Sequence, residues 1–154
     1  MIIVSDTTAI TTLLKAGQEG LLREMFGSVI VPQAVWDELR AYHSRLPEFL
    51  CLHSAPEAHA RLPGTELLGL GEAEAIRLAQ EIPADLLLTD DRKARAAASR
   101  LGIKSVGLLA VLIQAKTQGR IGSVSAAIDA IEKKGGLYLS EAAKTEARTL
   151  AGEL

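Results

Sequence analysis

Short apolar, β-rich runs alternate with longer helical stretches over the first two thirds of this chain. The runs are "IIVS" (2–5), "VIV" (29–31), "LCLH" (50–53), "LLLT" (86–89) and the weaker "KSV" (104–106). Between them lie "TTAITTLLKAG", "PQAVWDELRAYHSR", "GEAEAIRLAQE" and "DRKARAAASRLG", whose apolar residues recur at three- and four-residue spacings. Their ends carry helix punctuation: Pro32 and Gly71 at starts, Gly17 and Gly102 at stops. Repeated strand–helix alternation implies a mostly parallel sheet covered on both faces, a three-layer α/β/α architecture. From 107 onward, "GLLAVLIQAKTQG", "SVSAAIDAIEKKG" and "SEAAKTEARTLAGEL" read as helices. Residues from about 123 to 154 are therefore expected as a helical C-terminal extension packed on one domain spanning 1–154. The loop 55–70, "APEAHARLPGTELLGL", holds two prolines and is the segment expected to move.

At 154 residues the chain is long enough to bury a sizeable core. Its net charge of −2 excludes attachment to nucleic acid by overall positive charge, though not by a local basic patch. Cys51 is the single cysteine, so no intrachain disulfide can form, which fits a reducing compartment. The N-terminal stretch lacks the basic and long apolar regions of a signal peptide. The longest apolar run, "VGLLAVLIQA" (106–115), is about half a membrane span. The expectation is a soluble, cytoplasmic protein.

Acidic residues fall where such sheets keep their ligands. Asp6 follows the first strand and the pair Asp90 and Asp91 follows the fourth, both at C-terminal strand ends. Glu38 lies in the helix after the second strand, and Glu72 in the first turn of the helix before the fourth. Each has an ordinary structural explanation. Asp6 and either member of the pair could cap a helix, a contribution of about 1 kcal/mol. Glu72 and Glu74 suit a helix start, and Glu38 could be a surface acid beside Arg40, with Asp37 its competitor. The doubled Asp90/Asp91 is harder to dismiss, because one cap needs one residue. If the first and fourth strands are neighbours, Asp6 meets the pair. Two carboxylates about 4 Å apart repel by roughly 4 kcal/mol at an effective dielectric near 20. Such a cluster persists only with protonation or cations. An all-carboxylate set suits Mg²⁺ or Mn²⁺, and such ions serve phosphoryl transfer.

The ordered segments "IIVSDTTAI", "VPQAVWDEL", "LGLGEAEAIRLA", "LLLTDDRKARAAASRLGI" and "SVGLLAVLIQAKTQGRI" resemble the PIN domain family, as found in VapC-like toxins of toxin–antitoxin pairs. The resemblance spans about residues 2–122. It implies a five-stranded parallel sheet with the first and fourth strands side by side, and metal-dependent hydrolysis of RNA. It implies Asp6 as the first acid, Glu38 as the second and Glu72 as the third, with Glu74 able to share that role. The fourth acid falls on Asp90 or Asp91. It further implies a small antitoxin partner and a homodimer. Thr8 and Thr89, hydroxyls beside the acids, are candidates to bond carboxylates or metal waters, with helix capping the alternative.

Arg92, Lys93, Arg95 and Arg100 form a basic band after the acidic pair that could hold RNA phosphates, the alternative being a solvated helix face. His43, His53 and His59 lack metal-ligand spacing and are read as structural or surface residues. Cys51 is expected in the core, and Trp36 and Leu39 on a packed helix face. Aromatics make up only 3% of the chain, so base stacking contributes little to any recognition. Two other functions compete with the nuclease. A catalytically silent PIN-like binding module would keep the fold without the chemistry. An aspartate-based phosphohydrolase or receiver-like protein would want its acidic pair after the first strand, where this chain has Asp6-Thr7-Thr8.

Overall fold

The computed structural model describes residues 1–54 and 61–154. Five parallel strands form one sheet: β1 (Ile3–Ser5), β2 (Val29–Pro32), β3 (Leu50–His53), β4 (Leu86–Leu88) and β5 (Ser105–Val106), in the order β3-β2-β1-β4-β5. The first and fourth strands are neighbours, with Ile3, Val4 and Ser5 in register with Leu86, Leu87 and Leu88. Chain order reverses between them, which opens a crevice at their C-terminal ends.

Among the described residues eight helices join and flank the strands: α1 (Thr7–Lys15), α2 (Gly20–Phe26), α3 (Gln33–Tyr42), α4 (Leu70–Glu81), α5 (Arg92–Arg100), α6 (Leu108–Thr117), α7 (Val124–Lys133) and α8 (Glu141–Leu150). Side-chain alternation along each strand sorts them into two layers. Ile3 and Leu88 face one core, shared with Ile10, Leu13, Val35, Leu39, Leu112, Ile128 and Ala147. Val4 and Leu87 face the other, with Ala75, Ile76, Ala97 and Ala98 from α4 and α5. The α/β/α sandwich expected from the alternation is therefore present. The last two helices are built into it: Val124, Ile128 and Ile131 are fully buried in the first core. Lys144 of α8 is tied to Glu132 of α7 at 3.0 Å. No helix among the described residues is long and apolar enough to cross a membrane.

The segment "GLLREMF" also forms a helix, α2, whose two buried residues, Leu21 and Leu22, are too few to display a period. Two expectations are corrected. The helix carrying Glu72 begins at Leu70 with Gly69 as its cap, one residue before the expected start. Cys51 is exposed, not in the core. Its strand lies at the sheet edge, and only Leu50 of β3 is buried. Trp36 and Leu39 do pack against the first core. Gly17 and Gly102 terminate α1 and α5 with φ of 68° and 75°, which favours glycine. Residues 55–60 of the loop expected to move, with His59, lie outside the described residues.

Candidate active site

The crevice between β1 and β4 holds Asp6. Its backbone extends the ladder, donating its N–H to the Leu88 carbonyl at 3.1 Å. The side chain caps α1, accepting from the Ala9 N–H at 3.1 Å, and its other oxygen accepts from the Thr89 hydroxyl at 2.6 Å. Asp6 is 1% exposed, and no basic side chain pairs with it among the described residues. Burial pushes its carboxyl up to about 7. The Thr89 and Ala9 hydrogen bonds oppose that rise, and the charges of Glu72 and Asp90 add to it. Asp6 is thus a cap, but capping does not explain a carboxylate at such electrostatic cost.

The acidic pair divides its work. Asp91 caps α5, accepting from the Ala94 N–H at 2.8 Å, and is exposed. Asp90 turns the other way. Both its oxygens lie 3.2 Å from the Leu108 N–H at the start of α6. Burial raises its pKa, opposed by the Leu108 hydrogen bond and by Arg95. Only Asp90 of the two acts electrostatically on Asp6. The doubled aspartate therefore contains one cap and one member of the acid cluster.

Glu38 and Glu72 come from α3 and α4. The Glu38 carboxylate accepts from the Thr7 hydroxyl at 2.5 Å, whereas Asp37 points outward to Gln33 at 2.8 Å. The hydroxyl beside this acid is thus Thr7, not Thr8, which is exposed. Helical phase explains the difference: Thr7 lies three residues before buried Ile10, whereas Thr8 is about 200° around the helix from it. Glu74 is directed to a structural bond, accepting from the Ala34 N–H at 3.2 Å, so α4 supplies the cap that Pro32 cannot give α3. Thr89 bonds an acid as expected, and its oxygen also accepts from the Asp91 N–H at 3.2 Å.

Glycines let three acids approach. A Cβ on Gly71 would stand 3.0 Å from both Glu38 oxygens and 3.1 Å from the Thr7 hydroxyl. Similar additions at Gly69 and Gly107 would collide with the carboxylates of Glu72 and Asp90. Sequence reasoning missed these roles; "GLGEA" and "SVGLL" read there only as helix starts.

The donor set fits a hard divalent cation in kind: carboxylate oxygens, with Asp6 buried and without a basic partner among the described residues. As they stand, no group of three or more His, Cys, Asp and Glu side chains among the described residues is placed to hold a metal ion. The cluster is an open one. Arg92, Lys93, Arg95 and Arg100 are all exposed on α5. His43 stands between α3 and α1, 3.5 Å from the Thr11 hydroxyl, and His53 is exposed on the edge strand.

A family model described as a PIN domain (DUF3368) matches residues 2–153, nearly the whole chain. The solved structure of a PilT N-terminus domain protein from the hyperthermophilic archaeon Sulfolobus solfataricus is similar, with 17% identity and a TM-score of 0.55. That likeness, one of fold, covers 74% of this chain and 92% of the other. No curated protein matches the chain.

Proposed function

Because this chain belongs to the PIN domain family, whose fold is of nuclease type, we propose that it is a Mg²⁺- or Mn²⁺-dependent endoribonuclease. The observation that carries this reading is buried Asp6, held at the β1–β4 crevice within electrostatic reach of Glu72 and Asp90 and lacking a basic partner among the described residues. Asp6, Glu72 and Asp90 would hold the ion, with Glu38 beside them on the Thr7 hydroxyl. A bound ion would supply positive charge against the phosphodiester oxygens and acidify water.

The chain's own residues prepare that chemistry. Thr89 and the Ala9 N–H fix both Asp6 oxygens, so the carboxylate cannot rotate away from the crevice. The α6 N-terminus holds Asp90. Glu74 anchors α3 one turn before Glu38. Asp91 keeps α5 capped and has no assigned part in the chemistry.

The finer reading is a toxin of a toxin–antitoxin pair, with a small antitoxin bound near the acids and a homodimer as the working form. It rests on the sequence resemblance. The open placement of the acids favours one alternative, a silent binding module. The discriminating experiment is cleavage of a mixed single-stranded RNA pool with Mn²⁺, with Mg²⁺ and with chelator, on wild type and Asp6→Asn. Metal-dependent cutting lost in the variant supports the nuclease. Equal cutting by both proteins refutes the site, and wild type that neither cuts nor binds metal by calorimetry favours the binding module.

A further inference from the structure

Arg95 occupies a particular position beside the acids. Its Nη1 lies 3.6 Å from the point that a Cβ on Gly107 would fill, and an Asp90 oxygen lies closer still to that point. The missing side chain of Gly107 is what lets guanidinium and carboxylate share this space. Yet the two are not joined. Both Asp90 oxygens face the Leu108 N–H, and Arg95 makes no ion pair or hydrogen bond among the described residues. A fixed fork of five N–H donors is therefore left open at the edge of the cluster.

The rest of the turn repeats this pattern. Arg92 and Lys93 take the first two positions of α5, also exposed and without an ion pair among the described residues. A cation near a helix N-terminus meets the positive end of the macrodipole, in the wrong sense for stability. Asp91 caps this end of α5, and the first turn itself carries no acid. Arg92 and Lys93, set against the dipole, weaken the helix locally, while Arg95 eases the buried Asp90 charge at a distance without a direct bond to it. Such local conflict marks a surface shaped by a ligand, and the ligand it suits is anionic. Arg100, in the last turn, sits where the dipole favours it and serves as an internal contrast.

We propose that Arg95 is a phosphate-positioning residue: its guanidinium takes two oxygens of a substrate phosphate beside Asp90, while Arg92 and Lys93 hold neighbouring phosphates. This rests on the nuclease reading and deepens it. Successive cations along one turn fit a strand with consecutive phosphates better than a small phosphate ester. Planar, paired donors explain an arginine at position 95, since lysine offers only a point charge.

The probe is a fluorescein-labelled 20-nucleotide single-stranded RNA of mixed sequence, held in chelator so that it is not cut. Binding is followed by anisotropy between 50 and 200 mM KCl. Arg95→Ala is expected to weaken binding about fivefold to tenfold and to reduce the salt slope by roughly 0.7, the loss of one phosphate contact on a single strand. Arg95→Lys should restore the slope but only part of the affinity. Arg100→Ala should change affinity less than twofold. Wild-type affinity and slope in Arg95→Ala would overturn the assignment while leaving the nuclease reading intact. Equal losses in Arg95→Ala and Arg100→Ala would also overturn it, because net charge alone would then be sensed. Wild type that neither binds nor cuts the RNA removes the nuclease reading and the assignment together.

Discussion

Replacing Asp6 with asparagine should stabilise the metal-free protein, and increasingly so as pH rises. The unfolded carboxyl titrates near 3.8 and the folded one at about 7. Between those values the folded state keeps a proton that the unfolded state has released. A group raised in this way contributes its full stability below the unfolded value and loses it as pH rises through the folded one. The gap of about 3 pH units, at about 1.4 kcal/mol each, comes to roughly 4 kcal/mol lost by pH 8. More than half of that accrues between pH 5 and pH 8. Asp6→Asn removes the titration and keeps an oxygen for the Ala9 N–H. Its new NH₂ faces the Thr89 hydroxyl, which must turn to accept, at a cost of about 1 kcal/mol. The variant should therefore be about 3 kcal/mol more stable than wild type at pH 8, and within about 1 kcal/mol of it at pH 5. Urea unfolding in chelator, followed by circular dichroism from pH 5 to 8, measures this difference directly. Taking the difference cancels groups that titrate alike in both proteins. A difference constant within about 0.5 kcal/mol across that range would refute the account of Asp6 as a carboxylate held against burial and its neighbours' charge.

Asp91→Ala should cost about 1 kcal/mol of stability as a lost cap yet leave RNA cleavage within about threefold, whereas Asp90→Asn should lower cleavage at least tenfold, roughly 1.4 kcal/mol of barrier. Equal effects on cleavage would show that the pair is not divided. Thr7→Val removes the hydroxyl from Glu38 and should cost about 1–2 kcal/mol in thermal unfolding, with weaker Mn²⁺ binding by calorimetry; unchanged metal affinity would remove Glu38 from the set. Glu153 accepts from Lys116 at 2.7 Å and from the Val124 and Ser125 N–H groups at 2.7 and 2.9 Å, fastening the chain's end to the start of α7. The Lys116 bond, then those N–H groups, hold its pKa well below 4.5. Its contribution is therefore present above pH 4.5 and lost as pH falls, the opposite sense to Asp6. Glu153→Gln should lower the unfolding temperature at pH 7 and less so in acid, and an equal drop at both would contradict it.

How far the site was legible depended on the range of the interaction involved. The alternation of "IIVS", "VIV", "LCLH" and "LLLT" with helical stretches set the layers, because burial on one or both faces imposes a period that a single sequence displays. α2 was too short to show a period, and Cys51 was misplaced because edge position depends on strand order. Asp6, Glu38, Glu72 and Asp90/Asp91 were legible as candidates because strand ends and helix starts are local features. Their bonding partners were not. Choosing Asp90 over Asp91 required the α6 N-terminus, 18 residues away. Assigning Glu74 to structure required the start of α3, 40 residues away. Finding Gly71 and Gly107 required carboxylates brought up by tertiary packing.

The sequence by itself thus determined a parallel three-layer domain with acids at the C-terminal edge of its sheet, because hydrophobic period and capping act within a few residues. The tertiary structure alone decided which of those carboxylates is buried, which only caps a helix, and which cation stands beside them without an ion pair among the described residues. Those outcomes depend on desolvation and on charges from distant segments, which exist only once β1 and β4 lie side by side.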